Sequence, residues 1–429
     1  MAIYRRLLSI LTLRFGGRFI ATVVLLVALQ SATPAQTAAD SLPLCPVKSV
    51  GDLFKKKDSL LVVKPVKNNF LIVIPVIGSQ PATGFIFGVT SQYTFKDKAP
   101  NSKFSTVAVS ANYTTKKQVL LNLKNNMLLN HNRIFLSGDW RYYIFTQPNY
   151  GLGTDIIPPK SERPDDFNLD SLAQPMDYNY FKLHQTVSWK VNGNFYVGAG
   201  LHLDSYSKIV DKTLDTANSL FTHHYNYSTK YGFNSTDYTV NGVSLNLLYD
   251  SRDNQVNANH GWYGNINFRV NPALSKHQRP STVLYAEYRK FWPLSKTNEQ
   301  HVFAIWAYGQ FATSGKLPYL NLPALGWDQR SRAGKGYQQG LFRGNNLMYF
   351  EAEYRFPITC NQLISGTVFG DLTTASDKDR DIYLLKFIQP AIGVSLRILI
   401  DKATRTNLIF NQAWGRKSKG FYLNAAESF

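Results

Sequence analysis

Sixteen stretches of alternating polarity run from residue 68 to the end of the chain, and the long connections between them fall only at alternate junctions. In residues 83–95, Phe85, Phe87, Val89, Tyr93 and Phe95 share one face, while Thr90, Gln92 and Thr94 share the other. In residues 261–270, Trp262, Ile266, Phe268 and Val270 oppose Asn265, Asn267 and Arg269. A water-soluble sandwich alternates in the same way. Strands of about ten residues with short turns at one rim and long loops at the other instead mark a bacterial outer-membrane barrel, apolar outside and polar inside. Closure leaves no backbone group unpaired in lipid, which is why such strands can span it.

The expected strands are 68–77, 83–96, 103–114, 117–128, 132–146, 176–191, 194–207, 238–251, 261–271, 280–292, 300–312, 343–356, 362–372, 386–400, 404–414 and 420–429. With the first strand starting at the periplasm, connections 147–175, 208–237, 313–342 and 373–385 all lie outside the cell. The opposite rim receives the turns 97–102, 129–131, 192–193, 294–299 and 357–361. An even strand number with this asymmetry is what single-chain bacterial barrels show. The fold class is therefore all-β, a 16-stranded antiparallel transmembrane barrel spanning 67–429. The chain ends on Phe429, as such last strands commonly do, and Glu427 shares its parity with Phe421 and Leu423. A lipid-facing carboxylate near the interface costs little.

Aromatic residues make up 14% of the chain, which interfacial girdles require. After the start region no segment approaches eighteen consecutive apolar residues, which argues against helical spanning. Residues 1–35 have the form of a secretory signal: Arg5, Arg6, Arg14 and Arg18 precede the apolar run 19–29, and small residues around Thr33 and Ala35 suit cleavage before Gln36. Loss of those four arginines takes the formal charge from +19 to +15, because residues 1–35 hold no acid. The remaining cations are spread over loops, turns and alternate strand positions, without a nucleic-acid-binding signature, so no nucleic acid partner is expected. Anionic outer-membrane lipids or a positive lumen fit better. Residues 36–66 form a short basic periplasmic arm, with Lys55-Lys56-Lys57 and a helical turn near 50–54. It is too short for a domain with its own core. Cys45 and Cys360 are compatible with one disulfide or with two free thiols.

Alternation puts Glu287 with Arg289, then Glu351, Glu353 and Arg355, then Asp371, then Arg397 on the lumen side. Opposite signs on adjacent strands imply buried pairs that fix something inside. None of the eight histidines, among them His202, His223 and His224, shows a recognisable spacing with a serine and an acid. No enzyme activity, cofactor or metal site is expected on this pattern.

Three segments carry a resemblance to the BamA/TamA-like outer-membrane assembly superfamily, also called the bacterial surface antigen family. The first is Tyr249-Asp250-Ser251-Arg252-Asp253-Asn254 with His260-Gly261-Trp262. The second runs from Gly334-Lys335-Gly336-Tyr337 through Phe342-Arg343-Gly344-Asn345-Asn346 to Glu353-Tyr354-Arg355-Phe356-Pro357. The third is Phe369-Gly370-Asp371. The resemblance implies that the tip Lys335, Gly336 and Tyr337 folds into the lumen. Its cation would meet a wall carrying Glu353, Arg355, Phe369 and Asp371, with Lys335 pairing with Glu353 or Asp371. Asp250, Arg252, Asp253 and Gly261 would organise a periplasmic strand end. The chain departs from the family at Lys335, where an arginine is usual; lysine supplies a point charge in place of a planar fork. Thr373 and Asn407 replace a glycine and an acid expected by the family pattern. The sequence looks like members that lack the periplasmic POTRA modules.

The resemblance implies a barrel that inserts or translocates a protein client, or a lipid, through a seam between the first and last strands. An unknown protein client, or a periplasmic or surface partner docking on the 36–66 arm, is the expected company. The competing expectation is a passive porin-like channel or a structural barrel, in which a folded-in loop and a positive lumen set anion selectivity.

Overall fold

The computed structural model describes residues 45–54, 68–80, 84–99, 102–274, 278–425 and 429; the expected signal region 1–35, Lys55–Lys57 of the arm and Glu427 lie outside the described residues. Sixteen antiparallel strands form a single sheet in which every strand pairs with its sequence neighbours. They begin with β1 (Asn69–Gln80), β2 (Gly84–Phe95), β3 (Ser105–Thr114), β4 (Val119–Leu129), β5 (Ile134–Asn149) and β6 (Gln174–Asn192). Next come β7 (Phe195–Asp211), β8 (Tyr238–Asp250), β9 (Gly261–Asn271), β10 (Ser281–Pro293) and β11 (Val302–Gly315). The set ends with β12 (Asn346–Pro357), β13 (Ile364–Ala375), β14 (Gln389–Asp401), β15 (Thr406–Gly415) and β16 (Ser418–Ala425). Among the described residues no backbone pairing joins β1 to β16.

The strands form because their side chains satisfy two media at once. On β2, Phe85, Phe87, Val89 and Tyr93 are exposed on the outer face, whereas Gln92 and Thr94 are buried on the inner one. The same inversion holds on β9, where Ile266, Phe268 and Val270 are exposed and Arg269 points inward to Asp204 at 2.9 Å. An apolar outer face around polar interior positions is the pattern of a lipid-facing barrel wall. At the short-turn ends, outward aromatics meet: Tyr249 stacks on Trp262 at 3.9 Å between ring centroids, and Trp292 lies tilted against Phe303 at 5.6 Å. Such a belt belongs at a membrane–water interface.

The four long connections, 150–173, 212–237, 316–345 and 376–388, all lie at one rim. Connection 212–237 contains a helix, α2 (His223–Tyr231), started by Thr222, whose hydroxyl accepts from Tyr225 N, and ended by Gly232 at φ 63°. At the opposite rim an earlier helical turn, α1 (Val50–Leu53), is the described part of the N-terminal arm. Asp52 of that turn pairs with Lys402 at 2.8 Å, and Lys48 N donates to Asn361 O at 2.9 Å. The arm is thus fastened to the β12–β13 and β14–β15 turns. Both cysteines of the chain, Cys45 and Cys360, are disulfide-bonded.

The end of the chain departs from expectation. β16 stops at Ala425, and Phe429 is not a lipid-facing strand residue. It is 3% exposed, with its ring 5.9 Å from Phe291 and 5.4 Å from Trp306. Those side chains point inward from β10 and β11, so Phe429 occupies the lumen. The apolar cluster they form with Tyr308 and Tyr349 gives an aromatic ring a dry place inside the wall.

Candidate functional site: the loop-filled lumen

The connection between β11 and β12 turns inward because it is apolar where a solvent loop would be polar. Leu317, Tyr319, Leu325, Leu341 and Phe342 are each at most 2% exposed. Some pack on a tyrosine cluster from β5–β8, where Tyr180 and Tyr206 stack at 4.2 Å, and others on the β10–β14 wall. Arg343 fastens the base of the loop, its Nη1 donating to the carbonyls of Tyr319, Leu320 and Leu322 at 3.2, 3.0 and 3.3 Å.

The tip reaches the wall next to the last strand. Lys335, 4% exposed, donates from Nζ to Glu351 Oε1 at 2.5 Å and lies 3.9 Å from the centre of the Phe369 ring. Tyr349 donates to the other Glu351 oxygen at 2.5 Å. The lysine's hydrogen bond thus goes to Glu351, where the sequence placed Glu353 or Asp371. The reason is local: Glu353 is already bound by the guanidinium of Arg355, two residues along on the same face. Asp371 stands directly opposite Glu351 in the β12–β13 register, fully inside, and among the described residues accepts no hydrogen bond. Arg355 also reaches across the mouth to Asn257 Oδ1 and Ala258 O, each at 3.1 Å.

Gly336 has φ 97°, and a Cβ there would sit 3.0–3.1 Å from the backbone of Trp414 and Gly415 and from Ala391. Only glycine combines that conformation with so close an approach. Its amide donates to Tyr422 Oη of β16 at 3.1 Å. Tyr337 donates to Pro390 O at 2.6 Å and accepts from Arg416 N at 3.0 Å. On its other side the same loop grips the opposite wall. Gln329 donates to Gly138 O at 2.9 Å and Ser137 Oγ at 3.2 Å, while Arg141 of β5 donates to Asp328 O at 2.8 Å. The loop is a strap across the lumen, from β4 and β5 to β12–β16.

The short-turn mouth is closed by connection 251–260. Arg252 forks onto Asp250 at 3.0 and 2.9 Å, both residues buried. Asp253 accepts from Asn259 N and His260 N at 2.9 and 3.1 Å and pairs with Arg405 of the β14–β15 turn. Asn254 donates to Thr404 O at 3.2 Å. The connection therefore lies across the mouth, from β8 to β15. Gly261 (φ 97°) opens β9 where a Cβ would stand 2.3 Å from Ser251 O.

Three further charge sets line the inner wall. Arg289 binds Glu287, which also accepts from Trp306 Nε1 at 2.8 Å. Asp139 accepts twice from Arg141 at 2.8 Å and from Lys182 at 2.6 Å. Asp204 accepts from Arg269 at 2.9 Å and faces His184 at 2.8 Å. Only the first of these sets was singled out from sequence. The other two were available to the same parity argument, since Asp139 and Arg141, or His202 and Asp204, alternate with outward residues. His202 Nε2 lies 2.7 Å from Ser244 Oγ, and among the described residues its Nδ1 has no hydrogen-bond partner. Arg397, the last inward cation expected, is buried beside Thr367.

The sequence model described as the Omp85 superfamily domain matches residues 174–400, more than half of the 429-residue chain. Among solved structures, BamA from Haemophilus ducreyi lacking POTRA domains 1–3 is similar, with a TM-score of 0.52 at 13% identity over 84% of this chain and 70% of that one. CdiB from Acinetobacter baumannii (TM-score 0.48, 14% identity) is covered over 59% of its length by 83% of this chain. CdiB from Escherichia coli (TM-score 0.48, 13% identity) is covered over 63% by 85% of this chain. A search of curated proteins finds no match.

Proposed function

This chain belongs to the Omp85 superfamily, and on that premise we propose that it resides in a bacterial outer membrane and inserts or translocates a protein client, or a lipid, through the seam between β1 and β16. One observation carries the reading: the two edges of the sheet are unjoined among the described residues, while a buried loop ties β16 to β5 from inside. An edge strand carries a row of unpaired donors and acceptors, a ready template for an incoming strand. In hydrocarbon those groups cost several kcal/mol each unless paired, so the edges close on each other or on a client. The likeness to BamA supports the architecture, and the client is argued from the seam alone.

A passive channel is the second reading, favoured by the cationic lumen. The filled interior weighs against it: the strap, connection 251–260 and Phe429 occupy the space through which ions would flow. Catalysis is not part of the proposal. Among the described residues the Ser244–His202 contact has no acid on the far ring nitrogen, which a hydrolytic triad requires.

Depletion of the protein followed by an outer-membrane proteome tests the proposal. Broad loss of other barrels, or loss of one exported protein, is expected. An unchanged proteome in depleted cells overturns it.

A further inference from the structure

Behind the seam lies a cavity of about 200 Å³ that the strap and the barrel wall enclose together. Its lining includes Gln92 of β2, Asn122 and Lys124 of β4, Asn424 of β16, and Arg330 and Arg332 of the loop. Three cations line this space, and among the described residues the lining holds no carboxylate. The nearby acids are engaged. Asp139, opposite Lys124 in the β4–β5 register, is held by Arg141 and Lys182. Asp328 accepts the backbone amides of Arg330, Arg332 and Ala333 at 3.1 Å each. Neither the Lys124 ammonium nor the Arg330 guanidinium has an ion-pair partner among the described residues. Lys124 and Arg330 thus face one space without an ion pair of their own among the described residues.

Gathered cations in a confined, partly dry space repel one another, and an anion relieves the repulsion. We propose that this cavity is a binding site for a phosphate group. A phosphomonoester carries about −1.5 to −2 charges at neutral pH and three acceptor oxygens, which suits several cations better than a carboxylate does. A guanidinium matches phosphate geometry bidentately. The volume admits one phosphate with the first atoms attached to it, not a whole lipid or nucleotide. Ile74 and Val76 of β1 and Leu423 of β16 complete the lining. The cations thus sit beside apolar side chains at the two sheet edges, the arrangement that fits the headgroup of an amphiphile. Free phosphate and a lipid phosphate share this chemistry; only the lipid route rests on the seam reading.

The test uses the full chain folded in an uncharged detergent, titrated with inorganic phosphate by calorimetry. Comparison is with Arg330→Gln, with the Lys124→Gln/Arg330→Gln pair, and with Lys117→Gln in the exposed β3–β4 turn. Saturable binding that falls at least tenfold in the double variant and is unchanged in Lys117→Gln is expected. Arg330→Gln, a loop change on the lumen side, gives a reading even where the strand substitution impairs folding, and should weaken binding at least threefold. No binding by the wild type, or equal binding by all four proteins, overturns the site. A second arm reconstitutes the barrel in phosphatidylcholine vesicles containing phosphatidic acid and measures retained lipid by native mass spectrometry. Retention of phosphatidic acid that Arg330→Gln abolishes assigns the lipid source. Phosphate binding without lipid retention assigns the free ion. A seam that never opens would abolish lipid retention yet leave the phosphate titration intact, so failure of the functional reading and failure of the site are distinguishable.

Discussion

Replacing Lys335 by methionine should destabilise the barrel by about 3–5 kcal/mol, the range for breaking a buried ion pair from one side. The pair is 4% and 0% exposed, with Nζ 2.5 Å from Glu351 Oε1. At an effective dielectric of about 20, charges that close attract by roughly 7 kcal/mol, which offsets a desolvation cost of several kcal/mol per ion. Methionine keeps the length of the side chain and its contact with the Phe369 ring, so the loss reports the charge. It strands Glu351 in a dry wall directly opposite Asp371, which has no hydrogen-bond donor among the described residues. The measurement is urea unfolding of the barrel in liposomes, followed by tryptophan fluorescence and by the heat-dependent gel shift of folded barrels. Lys335→Arg, which keeps the charge, should lose less than Lys335→Met. In a Glu351→Gln background the methionine substitution should lose most of its effect, because the charge it abandons is gone. A Lys335→Met barrel within about 1 kcal/mol of wild type, or the same loss in both backgrounds, would refute the reasoning.

Four other outcomes follow from the geometry. Gly261→Ala should cost about 1–3 kcal/mol, since the new Cβ meets Ser251 O in a backbone conformation only glycine adopts freely; an unchanged urea midpoint sinks this. Phe429→Ala should cost about 3 kcal/mol by emptying a space between Phe291 and Trp306, and an isoenergetic variant would mean that the ring does not reside there. Deleting residues 326–340 should raise single-channel conductance in planar bilayers well above the wild type, whereas equal conductance would show that the strap does not block the lumen. Lys402→Ala combined with reduction of the disulfide should make the arm cleavable by trypsin after Lys48, with wild-type protein protected; equal cleavage of both would remove the docking role of Asp52.

The barrel was legible because its cause is local and periodic. Each strand must turn one face to hydrocarbon and the other to the lumen, so parity along residues 83–95 or 261–270 announces the wall before any contact is known. Loop lengths gave the rims for the same reason. Partner choice inside was only half legible. Parity placed Glu351, Glu353, Arg355 and Asp371 on one face, but which acid meets Lys335 depends on cross-strand register and on Arg355 claiming Glu353 first, and neither is written in the spacing. The position of Phe429 was not legible at all. Its parity matches a lipid-facing residue, and only the inward aromatic cluster contributed by β10 and β11, more than a hundred residues earlier, makes the lumen the better solvent for it.

The strap and the seam are mechanically linked. Gly336 and Tyr337 hold the wall at β14–β16, and Asp328 and Gln329 hold it at β4 and β5, so β1–β3 and the outer edge of β16 lie between the two grips. Separating β1 from β16 without releasing the strap is possible only as far as those three strands and one edge can swing. A large opening must break one grip. The two grips differ in kind: the β4–β5 side is held by hydrogen bonds from neutral Gln329 and two guanidinium-to-carbonyl contacts from Arg141, each worth about 0.5–3 kcal/mol. The β12–β16 side adds a buried ion pair whose one-sided loss costs more. The weaker grip therefore releases first, leaving the strap attached beside β16 and freeing β1–β5 to move. A disulfide engineered between the loop near Gln329 and β5 near Gly138 should then abolish the client passage proposed above, while one between the loop tip and β14 near Pro390 should leave it intact. Passage surviving the first and lost in the second would reverse this order of release.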